Sequence, residues 1–285
     1  MPENLLDNLE EVSQTMLITL MVRARESRRA GGLLHDDKAV EMVQRMSVDF
    51  SKLNLVMHRH DEVAVLVRMI HFDRQVQRFA KEHPGGVIVH FGCGLDTRYE
   101  RTAPEQVEWF DLDVPTVMAL RQKLIGTTGP HYHALGASIF ETNWISEVKQ
   151  FQPGPFLFTG EGVLPYFEAA QVQGLFLRLV EHFPGCEVIF DAHTPFVIWA
   201  DNIHLALAKV PARMHWKLKN PREMEHWHAG FKLLDEWYYY EDDDPIMRPL
   251  RWMRLIPGFA RASGIFHFQL GDAPTQGKTA PCVAP

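Results

Sequence analysis

The stretch from Val87 to Pro115, VIVHFGCGLDTRYERTAPEQVEWFDLDVP, constrains this chain more than any other. Val87 to Phe91 is a short, almost unbroken apolar run behind a Pro84-Gly85-Gly86 break, the pattern of a buried parallel strand. Gly92-Cys93-Gly94 follows. Glycine at both ends of that triplet lets the backbone turn sharply and approach a ligand with no side chain in the way. A second apolar run, residues 107–110, ends in Asp111-Leu112-Asp113. An acid at the tip of the second strand, about 20 residues past the glycines, is where nucleotide-binding sheets grip a ribose hydroxyl pair. The third glycine of a dinucleotide fingerprint is missing, and Arg98 and Tyr99 stand where close helix packing favours a small residue. A nucleoside without a pyrophosphate therefore fits better than NAD, with S-adenosylmethionine the first candidate. The same residues also fit a plain strand-to-helix turn followed by a helix-capping acid.

The rest of the chain repeats the alternation. Strands are expected near residues 132–137, 155–159 and 187–191, and helices after Pro115 and over residues 172–183, stopped by Pro184-Gly185. Strands alternating with helices predict an α/β, Rossmann-like sheet with helices on both faces and ligands beyond the C-terminal strand ends. Three helices precede the first strand: residues 4–23, residues 37–46, and one capped by Asp61 that carries Val63, Leu66, Val67 and Ile70 inward. They form a helical cover over residues 1–82 of a single domain ending near residue 271. Residues 195–230 read as a lid insertion, with Trp199, Met214, His215 and Trp216 in a helical segment. Two closing strands are expected over residues 231–240 and 265–270, then a disordered tail from Asp272.

Composition narrows the function. The net charge of −7 speaks against nucleic acid, which calls for a basic face. No apolar run approaches the ~20 residues that span a bilayer, and the acidic N-terminal stretch offers no secretory signal. Cys93, Cys186 and Cys282 are odd in number and scattered, as expected of reduced thiols in a cytoplasmic protein.

An ordered set of blocks resembles a known family. ARESRR at residues 24–29, His35-Asp36, VRMIHFD at 67–73, FGCGLDTR at 91–98, DLDVP at 111–115, EGVLPYF at 161–167 and RWMRLIPGFARAS at 251–263 resemble the leucine carboxyl methyltransferase superfamily. Within it, the blocks are closest to the polyketide-synthesis O-methyltransferases, which are class I S-adenosylmethionine-dependent enzymes. The resemblance implies a role for each site residue. Arg25 and Arg68 would hold the cofactor's carboxylate, bidentately as arginine does. The loop of Gly92 and Gly94 would pass beneath the methionine and ribose. Asp113 would bind the ribose hydroxyls, with Asp111 its local competitor. Ser138 and Ile139 would meet the adenine, and Glu161 would neutralise the ammonium. Without the resemblance, Arg25 and Arg68 also read as solvated helix charges, and Glu161 as a helix cap.

One position departs from the family. Ser138 stands where an Asp would accept a bond from the adenine amino group, which a serine does more weakly. This leaves room for weaker cofactor binding, or for Glu141 as a substitute. The pairs His58/His60, His131/His133 and His226/His228 could share a strand face, but they lack further ligands at a recurring spacing, so no metal is expected. Trp199, Trp216 and Tyr166 are candidates for an acceptor pocket. A carboxylate acceptor needs no base, whereas a phenol or enol would use one, and His193 is the candidate; it equally fits a histidine hydrogen-bonded at a strand end. Three functions stay open. They are a small-molecule O-methyltransferase, monomeric or homodimeric; a protein C-terminal carboxyl methyltransferase; and a non-catalytic nucleoside binder.

Overall fold

Each apolar run becomes a strand of one sheet, because only a shared sheet buries such runs on both faces. The computed structural model describes residues 15–46, 59–104, 106–207, 212–243, 245–248 and 250–272. The strands are β1 (Val87–Phe91), β2 (Glu108–Asp113), β3 (Tyr132–Gly136), β4 (Phe156–Gly160), β5 (Cys186–His193), β6 (Phe231–Tyr238) and β7 (Ser263–Leu270), in the order β3-β2-β1-β4-β5-β7-β6. The first five run parallel, and β7 runs antiparallel to both β5 and β6.

Helices cover both faces. Val87, Val89, Phe91, Phe158 and Phe190 face one way and pack with Trp144 of α6 (Asn143–Val148) and Phe176 of α7 (Ala169–His182). Ile88, Trp109, Leu157 and Ile189 face the other way, against Val67, Phe72 and Val76 of α3 (Arg59–Glu82). A third cluster joins α1 (Met16–Ser27) and α2 (Asp37–Arg45) to α5 (Pro115–Leu124) through Leu20, Met42 and Leu120. Short α4 (Arg98–Thr102) follows the glycine turn, and α8 (Pro195–Leu207) follows β5.

Several expectations shift. Helix α1 runs through Arg23 to Ser27, so the first arginines of the basic cluster are helical; residues 4–14 lie outside the described ones. Asp61 sits in the first turn of α3 rather than capping it, whereas Asp36 does cap α2, accepting from the Ala39 amide at 2.9 Å. Met214, His215 and Trp216 are not helical. The His215 and Trp216 amides donate to Pro165 O, and that of Leu218 to His193 O. Trp216 is 3% exposed and lies in the main core at 5.8 Å from Phe190. Residues 212–230 are therefore docked onto the sheet, and α8 is tied to them by Asn202, which bonds both backbone groups of Met214, while its Ile198 and Leu205 are buried. The tail beyond Asp272 and His58 lie outside the described residues. Among those described, no helix is long and apolar enough to cross a membrane.

Candidate active site

The face of the sheet under α3 changes character in steps of two residues, the strand period. Its deeper row is apolar: Ile88, Trp109, Leu157 and Ile189. Two residues on come His90, Asp111, Thr159 and Asp191, all buried and all polar. Two further on, at the C-terminal rim, stand Gly92, Asp113, Glu161 and His193. Four of the sequence-predicted site residues thus share one rim, with a buried polar row that includes Asp111 beneath it.

That row is held by arginines. Arg68 of α3 donates from Nε to Glu161 (2.9 Å) and from Nη1 to Asp191 (3.0 Å), and the Gly162 amide donates to the other Asp191 oxygen at 2.7 Å. Arg98 of α4, fully buried, donates to Asp73 (2.8 Å) and to Glu161, and lies 3.3 Å from Asp96. Arg101 joins Asp73 and Asp96 at 3.0 and 2.6 Å, and Arg23 joins Asp36 at 2.5 Å. Burial opposes ionisation of Asp191, but Arg68 and then His193 outweigh it and hold its carboxyl at about 2. Desolvation likewise works against Asp96, and Arg101, Arg98 and Arg23 keep it well below the usual carboxylate range.

Each predicted residue can now be placed. Gly92 (φ +63°) needs its bare backbone, since a Cβ there would fall 2.4 Å from Val163. Gly94 donates its amide to Asp113 at 2.8 Å, and the Val114 amide donates to the other Asp113 oxygen at 2.8 Å. A carboxylate accepts about four bonds, so two remain for a hydroxyl pair. Burial raises the Asp113 carboxyl against those two bonds. Asp111 is closed to a ligand. It accepts from Trp109 Nε1 (2.9 Å), Arg121 (2.5 Å) and Tyr132 (2.8 Å), with His90 Nδ1 at 3.2 Å. Buried but outweighed by Arg121 and His90, its carboxyl sits at about 2. It is a structural ion-pair centre, and Asp113 alone faces the rim.

Arg25 is not part of the group. It pairs with Glu62 at 2.8 Å, a third exposed, and Glu62 lies six residues, or about 9 Å, along α3 from Arg68. The second arginine on Glu161 is Arg98. In the sequence Arg98 stands out only as a misfit to the dinucleotide pattern, although a large cation at a close-packed helix start itself signals an acid beside it. Ser138 Oγ accepts from the Phe140 amide (3.3 Å), and Glu141 Oε2 lies 3.3 Å from the Ser138 amide. The Ile139 side chain belongs to the core, which leaves its backbone for an adenine. Tyr166 is half-buried and hydrogen-bonded with Thr15, while Met16 packs over Gly94, so the start of α1 lies across the rims of β1 and β4. Trp199 is 62% exposed, and Trp216 is a core residue at 3%. His131 and His133 close on the two oxygens of Glu108, at 2.8 and 2.7 Å. No group of three or more potential metal ligands occurs among the described residues.

A parallel sheet with one reversed strand, a glycine turn after β1 and an acid ending β2 define a class I methyltransferase fold. Solved structures share it. A candidate methyltransferase of Thermobifida fusca superimposes with a TM-score of 0.54 at 14% identity, covering 88% of this chain and 94% of its own. A Streptomyces avermitilis protein of the DUF574 family gives 0.51 at 18%, covering 88% and 97%. The chain itself belongs to the leucine carboxyl methyltransferase family, whose pattern matches residues 16–180. It is 32% identical over 258 residues to the tetracenomycin polyketide synthesis O-methyltransferase TcmP of Streptomyces glaucescens, covering 87% of this chain and 93% of that one. An S-adenosyl-L-methionine-dependent methyltransferase of Gibberella zeae is 26% identical over 255 residues, 82% of this chain and 84% of its own. The protein is an S-adenosylmethionine-dependent methyltransferase.

Proposed function

We propose that the chain methylates an oxygen of a small, polyketide-like acceptor, and that the rim residues hold the cofactor. The charge balance of the buried network carries this reading. Arg23, Arg68, Arg98 and Arg101 face Asp36, Asp73, Asp96, Glu161 and Asp191, four guanidiniums against five carboxylates. A surplus buried anion is costly unless a cation joins it. S-adenosylmethionine, with one carboxylate, one ammonium and one sulfonium, brings one net positive charge. Glu161, already gripped by Arg68 and Arg98, keeps a lone pair on each oxygen for the ammonium. Arg68 retains unused N–H donors for the carboxylate, and Asp113 retains acceptors for the ribose. Glu141, beside Ser138, is the nearest carboxylate for the adenine amino group.

When bound, the cofactor supplies a methyl group already activated on sulfur, so the protein's work is to place the acceptor and keep water out. His193, on the rim at the end of β5, has Nε2 3.6 Å from Asp191 and is placed to take a proton from a hydroxyl acceptor. The first turn of α1 and helix α8 are the elements that would cover the methyl group. The relative from Streptomyces glaucescens, named for tetracenomycin polyketide synthesis, supports a small acceptor over a protein carboxyl terminus. Incubating the full chain with methyl-labelled cofactor, a panel of aromatic hydroxy and carboxylic acids and a leucine-terminated peptide tests this. Label should enter at least one aromatic acceptor; label entering only a leucine-terminated peptide would overturn the small-molecule reading.

A further inference from the structure

We propose that Tyr239 binds the oxygen-bearing end of the methyl acceptor, as a hydrogen-bond donor standing beside His193. This rests on the methyltransferase reading above. Tyr239 directly follows β6. Because β5 and β6 both run antiparallel to β7, they are parallel to each other, and Tyr239 lies at the same edge of the sheet as Glu161 and His193. Between them β7 presents only Ser263 opposite His193 and Gly264 opposite Tyr238, and small residues there let the Tyr239 ring approach the histidine. The ring is fixed on two sides: edge-on to His193 (centroids 6.3 Å, planes at 88°) and tilted against Trp237 at 5.1 Å. The backbone is fixed too, with the Tyr239 amide donating to Ser263 O at 3.2 Å.

Only the hydroxyl is left without a role in the fold. Tyr239 is 4% exposed, yet its OH has no hydrogen-bond partner among the described residues, and the same holds for His193 Nδ1 and Thr159 Oγ1. Leaving a buried polar atom unpaired is costly, so such an atom calls for a ligand, a water or a catalytic role to account for it. The three atoms sit at the C-terminal ends of β4, β5 and β6, on the α3 side of the sheet. Arg68, Asp191 and Glu161 are the charges that act on Tyr239. Burial raises its phenol well above the ordinary value, so it stays protonated and serves as a donor. The cofactor's polar groups are already matched by Asp113, Glu161 and Arg68. Tyr239 stands on the far side of His193 from Asp113, with β1, β4, β5 and β7 between β2 and β6. A neutral O–H donor suits a carboxylate, phenol or enol oxygen alike.

The test uses the full chain, wild type and Tyr239→Phe, with 1-naphthol and 1-naphthoate as probes of one shape and two chemistries. Each is titrated calorimetrically in saturating S-adenosylhomocysteine, and thermal unfolding is measured alongside. The variant should unfold at the wild-type temperature or above, because no bond is lost within the protein. Its S-adenosylhomocysteine affinity should stay within about twofold, while the affinity for at least one probe falls about tenfold, the size of one hydrogen bond; which probe responds identifies the acceptor oxygen. Unchanged probe affinities, neither probe binding the wild type, a melting point several degrees lower, or a loss confined to S-adenosylhomocysteine would each overturn the assignment of Tyr239. Failure of the wild type to bind S-adenosylhomocysteine would instead overturn the methyltransferase reading beneath it.

Discussion

Replacing Arg98 and Arg25 separately by methionine separates the arginine that meets Glu161 from the one the family resemblance places at the cofactor's carboxylate. Arg98 is fully buried and meets Glu161, Asp73 and Asp96. Removing one member of a buried ion cluster typically costs about 3–5 kcal/mol, because the partners stay buried without it. Here Arg101 still neutralises Asp73 and Asp96, and Arg68 still reaches Glu161, so the lower end applies, about 3 kcal/mol. At roughly 2–3 °C per kcal/mol for a chain of this size, the melting temperature should fall by about 6–9 °C. Arg25, a third exposed and bound among the described residues to Glu62, should cost no more than about 1 kcal/mol, or some 2 °C. Cofactor binding should divide the same way. Freed of Arg98, Glu161 loses its fixed geometry, and S-adenosylhomocysteine affinity measured well below the transition should fall by about tenfold or more. The Arg25 variant should stay within about threefold. If Arg25→Met weakens the ligand as much as Arg98→Met does, the placement of the cofactor's amino-acid end is wrong.

Three further outcomes follow from the same geometry. Ser138→Asp should tighten cofactor binding, seen by calorimetry, by adding a carboxylate where a hydroxyl is already committed to the Phe140 amide; looser binding would mean that Glu141 already reads the adenine. Trp216→Ala should cost about 3–5 kcal/mol as a core truncation, whereas Trp199→Ala, on the exposed side of α8, should leave stability within about 0.5 kcal/mol and alter only acceptor turnover. Asp111 and Asp191, held at about 2 against an ordinary 3.8, contribute stability that is fully present above about pH 4 and lost as pH falls through about 2. Each is worth about 2 kcal/mol, so the urea midpoint should drop steeply below pH 4, after a gentler decline that begins as pH falls through 6.5, where His71, pushed down to about 4 by burial, resists the proton the unfolded chain accepts.

The strands were legible because apolar runs bounded by Gly and Pro admit few alternatives, and the rim followed from where those runs end. Asp113 and Glu161 could be placed in this way. Nothing in the sequence marks Arg98 over Arg25 as a neighbour of the cofactor's amino-acid end, because both are arginines in matched blocks; only the packing of α3 against α4 brings Arg98 to Glu161. Asp111 and Asp113 were distinguishable in principle. On a strand, residues two apart share a face, but burial deepens away from the rim, so the inner acid meets arginine and tryptophan and the outer one meets ligand. Trp216 was misread because a tryptophan in an irregular stretch carries no period; its place comes from backbone bonds to Pro165, distant in sequence. Tyr239 lay unmarked in a run of aromatics, and only the lack of a partner for its hydroxyl separates it from Trp237 and Tyr240.

A crystal structure of the full chain with S-adenosylmethionine tests the central claim most directly. The account predicts the ribose hydroxyls on Asp113, the ammonium at Glu161 between Arg68 and Arg98, and Asp111 still bonded to Arg121 and Tyr132. A cofactor gripped instead by Arg25, or a ribose on Asp111 with its arginine displaced, would contradict it.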